Sequence, residues 1–170
     1  MCKYLRMIAK ISRWDGSEQL NRKDALFTGD MLADLRTTHN KLSVWKADTE
    51  EDIKDAIVAL ALNRDSLSGL SYIILEEEDL KKIGIDVLDD EKGDVKCLND
   101  DILTKHRNML DLDYWRLGFL AEYMKKLVDT NNTNMRDAKS KGEIKALLTN
   151  YKSRINLDEL KPQIKKELKW

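Results

Sequence analysis

The stretch "LSGLSYIIL" at 67–75 constrains the fold of this chain more than any other. Successive side chains of a strand point to opposite faces of a sheet, so the unbroken run Tyr72, Ile73, Ile74, Leu75 is apolar on both sides. A strand over Ser71–Glu76 therefore needs cover above and below it. Whatever surrounds it must supply two apolar layers.

The rest of the first half offers candidates for those layers. In "YLRMIAKI" Leu5, Met7, Ala9 and Ile11 alternate with mostly polar neighbours, which predicts a half-buried strand closed by Asp15 and Gly16. Met31, Leu32 and Leu35 form a short helical face that Thr28 can cap. "KLSVWKA" predicts a second strand, with Leu42 and Val44 on one side and Ser43, Trp45 and Ala47 on the other. Thr49, Glu50, Glu51 and Asp52 resemble a capping box, and Ile53, Ala56, Ile57, Leu60 and Ala61 follow at helical spacing. "EDLKKIG" predicts a helical turn and "IDVLDD" a brief fourth strand.

Beyond residue 99 the pattern reads as helix throughout. One helix is expected over 99–110, and a second after Asp111 and Asp113 with Leu117, Leu120, Ala121, Met124, Leu127 and Val128 on one stripe. "DTNNTN" predicts a turn, and Ser140–Glu143 and Asn156–Glu159 two more helix starts. One proline and seven glycines in 170 residues leave little punctuation, which favours long helices. The expectation is an α+β fold: a small mixed sheet of three to four strands with helices over 1–98, packed against an all-helical half over 99–170. The two halves belong to one domain, because neither carries enough apolar surface to stand alone. A basic amphipathic segment, 156–170, ends the chain.

Charge is segregated although the net value is only −1. Residues 48–101 hold 17 acidic against 6 basic side chains, and residues 131–170 hold 10 basic against 5 acidic. The tail is thus suited to an acidic surface, on a partner or on the chain's own middle. Near-zero net charge argues against nucleic acid as a ligand. No apolar run approaches the roughly 20 residues of a membrane span, and the basic residues Lys3, Arg6, Lys10 and Arg13 leave no room for a signal-peptide core. Cys2 and Cys97 lack metal-site spacing and read as free thiols in a reducing compartment, so a cytoplasmic location is expected.

Chemistry is sparsely written. Phosphate loops, hydrolase elbows and zinc helices are absent, and "LDDEKGD" needs no ion to serve as a turn, so neither metal nor cofactor is expected. His106, between Lys105 and Arg107, reads as a basic cluster near a helix end. "LRTTHNKLSVW" collects the remaining polar groups. As a turn, Asn40 takes the left-handed conformation that ends a helix and Arg36 faces the last carbonyls. As a site, Arg13, Arg36, His39 and Trp45 would line a pocket for a nucleotide-like or other anionic substrate of a small enzyme.

In the tail, Leu157, Leu160, Ile164 and Leu168 recur at three and four, with Lys165 and other lysines around them, and Pro162 divides the stretch. Such a stripe packs on its own core or lies in a partner's groove. The leading expectation is a non-catalytic module for protein–protein interaction, an accessory subunit or adaptor, that uses this segment and the acidic middle. A small enzyme that binds a nucleotide-like or other anionic substrate near Arg13, Arg36, His39 and Trp45 is the alternative.

Overall fold

The computed structural model describes residues 2–14, 28–89, 91–130 and 135–170. The turn expected at Asp15 and Gly16 and most of "DTNNTN" lie outside them. Among the described residues six strands form one sheet: β1 (Lys3–Ile8), β2 (Leu42–Lys46), β3 (Leu70–Glu76), β4 (Val87–Leu88), β5 (His106–Met109) and β6 (Arg136–Lys139). Their spatial order is β4-β5-β2-β1-β3-β6, and every neighbouring pair is antiparallel. The central pair β1 and β3 runs in register from Lys3 opposite Glu76 to Ile8 opposite Ser71.

The apolar run of β3 is covered on both faces. Tyr72 and Ile74 join Leu5 and Trp45 in one core, against α2 (Glu50–Leu62), α6 (Lys141–Asn150) and α7 (Pro162–Leu168). Ile73 and Leu75 join Tyr4, Ile8, Leu42, Val44 and Met109 in the other. That second core is closed by Met31 of α1 (Gly29–Ala33), Leu80 of α3 (Glu77–Lys82), and Leu120, Met124 and Val128 of α5 (Tyr114–Asp129). Helices therefore sandwich an antiparallel sheet, and burial on both faces is what the composition of β3 demands.

Local chemistry sets the helix starts. The Thr28 hydroxyl accepts from Met31 N, Thr49 from Asp52 N, Asp113 from Arg116 N and Ser140 from Glu143 N. Each satisfies a backbone donor that the first turn cannot pair. The expected helix start at Asn156 does not form: the Asn156 side chain accepts from Asp158 N, holding a turn, and α7 begins at Pro162, where a missing N–H costs nothing.

The sequence expectation is corrected on the sheet. It is six-stranded and wholly antiparallel rather than mixed with three to four strands, and the half from 99 is not all-helical. The helix expected over 99–110 is only α4 (Asp100–Leu103), after which the chain turns into β5. β5 reads "HRNM" and β6 "RDAK", so neither carries an apolar alternation. Both are specified by ladders to β2 and β3, which local sequence does not reveal. The edges are also defended: β4 is two residues long and β6 is charged, features that discourage pairing with another chain.

Gly93 has a packing role that its turn-like sequence conceals. A Cβ there would lie 2.7 Å from the Trp45 indole, against backbone held by the Gly93 N–H bond to Leu103 O. Gly93→Ala is expected to destabilise the protein by about 1–3 kcal/mol through overpacking. Urea denaturation measures this, and an unchanged midpoint would show that the indole has room to move.

Candidate protein interaction surface

The four residues expected to share an anion pocket separate into three locations. Arg36 and His39 line one shallow groove of about 380 Å³ together with Arg6 and Lys41. Trp45 is buried instead, its ring edge-on to His106 at 5.3 Å between centroids, and Arg13 ends a 3-10 turn after β1 outside that groove. His106 is not at a helix end: it opens β5, with Nδ1 3.0 Å from Glu91 O.

The turn itself differs from a helix cap. α1 is over by Asp34, and Thr38 and Lys41 exchange backbone hydrogen bonds of 3.1 and 3.0 Å around His39 and Asn40. Both central residues have positive φ, 53° and 58°. That is the two-residue hairpin turn whose twist matches paired strands, and asparagine tolerates its left-handed backbone.

The C-terminal stripe is occupied by its own chain. Leu160 and Ile164 are buried in the α2-side core, and Leu157 and Leu168 pack against it. Lys165 is half-buried. The apolar side of 156–170 is thus spent on α2 and α6, which leaves its outer face polar.

Charge segregation resolves in the same way. Asp55 of α2 is fully buried between Lys105 Nζ at 2.5 Å and Arg154 at 2.9 Å. Lys105 also reaches Asp52 at 2.7 Å, and Arg154 reaches Glu51 and Asp101 at 3.2 and 2.5 Å. Tyr151 donates to Glu51 at 2.8 Å, and Lys161 pairs with Asp65 at 3.1 Å. The basic tail is docked on the acidic middle, and the cluster joins the start of α2 to the segment after α6.

This cluster gives the protein an acid limit. Burial pushes the Asp52 carboxyl up, but hydrogen bonds from Lys105 and Thr49 and the Lys105 charge outweigh it and hold the group below its ordinary range. Its hydrogen bond from Arg154 holds Asp101 low as well. Stability from such groups is complete above the unfolded carboxylate value of about 3.9 and is lost as pH falls through the folded values. Melting temperature is therefore expected to drop steeply below about pH 4, with a shallower acid limb in Asp52→Asn. Parallel limbs in the two proteins would assign the loss to other carboxylates.

A different face is left open. α5 buries Leu120, Ala121, Met124 and Val128, while Tyr114, Trp115 and Phe119 project from its outer side. Tyr114 is 82% and Trp115 71% exposed, and Leu32 of α1 stands beside them, also exposed. Together with Leu35 and Gly118 they line an apolar groove of about 520 Å³ between α1 and α5, with Glu122 at its border. Tyr114 and Trp115 meet edge to face, 5.8 Å between centroids. Gly118 touches nothing that would explain it: a Cβ there meets no atom within 4 Å. A glycine inside a helix costs about 1 kcal/mol relative to alanine, and here its effect is to keep the groove floor at backbone level.

In the sequence the buried stripe of α5 masks these aromatics. The signal that would have found them is Trp115 and Phe119, one turn apart on the face opposite that stripe, with Tyr114 at the helix start. Among the described residues no group of three or more His, Cys, Asp or Glu side chains could hold a metal ion, and no helix is long and apolar enough to cross a membrane. Comparison of the chain with family models, with curated proteins and with solved structures finds no match, which leaves the geometry of these faces as the basis for a functional reading.

Proposed function

We propose that this protein is a non-catalytic interaction module, an accessory subunit or adaptor, whose α1–α5 groove receives an apolar segment of a partner protein. The observation that carries the reading is the group of Tyr114, Trp115, Phe119 and Leu32, exposed together on one groove. Side chains of this size contribute 150–250 Å² each when aromatic, so at these exposures the four offer roughly 450 Å² of apolar surface. That is more than half of the roughly 800 Å² that one side of a standard interface buries. Tryptophan and tyrosine at the centre of such a patch are the residue types that dominate binding energy.

The chemistry of the partner follows from the groove. Gly118 admits a close-lying chain, the rings supply walls, and the exposed Glu122 carboxylate favours a basic residue at the border. An amphipathic helix with apolar anchors and a lysine or arginine beside them meets all three conditions. Affinity capture from source cells tests the reading, using wild-type protein beside the double variant Trp115→Ala, Phe119→Ala. One stoichiometric partner is expected on the wild type and not on the variant, with both proteins folded. Wild-type protein that migrates alone at monomer mass in native extract would overturn it.

A further inference from the structure

The groove beneath the hairpin turn has a separate chemistry. Three cationic side chains, Arg6, Arg36 and Lys41, face it against the single carboxylate of Glu91, which is engaged by Lys41 at 3.1 Å. Arg6 is the unusual member. Its guanidinium donates to two backbone carbonyls, Ser43 O at 2.8 Å and Asp34 O at 2.5 Å, while its Nε is buried with no hydrogen-bond partner. The nearby Asp34 carboxylate is already taken by Ala9 N and Trp14 Nε1. Burial pulls the Arg6 group down to about 10 from its ordinary value, a fall that the charge of Asp34 only partly offsets. Arg36 is exposed and forms no ion pair among the described residues.

We propose that this groove binds a small phosphorylated molecule that carries hydroxyl groups, with the phosphoryl group between Arg6 and Arg36 and a hydroxyl donating to Glu91. The exposed Arg36 fork can match two phosphate oxygens as a pair, while Arg6, whose terminal nitrogens already donate to Ser43 O and Asp34 O, contributes its charge. The His39 ring lies at the same rim and adds a nitrogen donor. Glu91 makes the selection: a carboxylate only accepts, so it repels a bare dianion brought against it and rewards a ligand with a hydroxyl at that end. About 380 Å³ exceeds what a phosphate ion alone fills and lies at the low end of small-ligand sites. No residue lining it is shared with the α1–α5 groove, so the inference is independent of the interaction reading.

Titration calorimetry of the full chain with ribose 5-phosphate, ribose and inorganic phosphate, at about 150 mM salt to screen exposed charge, tests the proposal. Saturable binding is expected for ribose 5-phosphate, weaker binding for inorganic phosphate and none for ribose. Arg36→Ala, at an exposed position, is expected to weaken ribose 5-phosphate by about tenfold or more with no change in melting temperature. No saturable binding overturns the proposal, as does binding that Arg36→Ala leaves unchanged. Equal binding of inorganic phosphate and ribose 5-phosphate also overturns it, because Glu91 would then select nothing.

Discussion

Asp55→Ala is expected to destabilise the protein by about 3 kcal/mol, at the lower end of the 3–5 kcal/mol seen when one member of a buried ion pair is removed. Asp55 has no exposed surface, and its loss leaves Lys105 and Arg154 facing an apolar gap. The lower end applies because Lys105 keeps Asp52, and Arg154 keeps Glu51 and Asp101. For a chain of this size the change corresponds to a fall of about 6–12 °C in melting temperature. The triple variant Asp55→Ala, Lys105→Met, Arg154→Met is expected to recover little of it, since Asp52, Glu51 and Asp101 then lose the cations that pair with them. A single-variant loss below about 1 kcal/mol, the range of exposed pairs, would mean that the cluster is solvated in a way its burial does not indicate.

Trp115→Ala is expected to act on binding and not on folding. The side chain is largely exposed, so its removal should leave stability within about 0.5 kcal/mol. At the centre of an apolar groove the same truncation typically costs at least about 2 kcal/mol of binding, roughly 30-fold in Kd. Gly118→Ala provides a second arm with the opposite sign on folding. It should stabilise the helix by up to about 1 kcal/mol while filling the groove floor and weakening the partner. Binding and stability that moved together in both variants would identify the groove as structural.

These effects lie where local sequence is least informative. Helices α2, α5 and α6 were legible because a cap and a 3.6-residue stripe occur together at Thr49, Asp113 and Ser140. β3 announced its two-sided burial through an unbroken apolar run. β5 and β6 were not legible. Their hydrogen bonds come from strands far away in sequence, and their side chains are mostly polar. Misreading β5 as helix also moved Lys105 from an interior charge cluster to an expected surface patch. Asp55 carried a faint signal, an acid one turn beyond Asp52 within the apolar span of α2, but its partners arrive from positions 105 and 154. The groove at Arg36 and His39 was half legible: the turn was readable, while Arg6 occupied an ordinary polar position of a strand.

The most direct test of the interaction reading is site-specific photo-crosslinking in source cells, with a benzophenone side chain placed at Phe119 in one protein and at Glu159 in another. Phe119 lines the α1–α5 groove, and Glu159 is exposed in the C-terminal segment outside it. One discrete adduct of the same mass in repeated preparations is expected from position 119 and none from position 159. Equal adducts from both positions, or none from 119 in cells that express the protein at its natural level, would contradict the interaction reading.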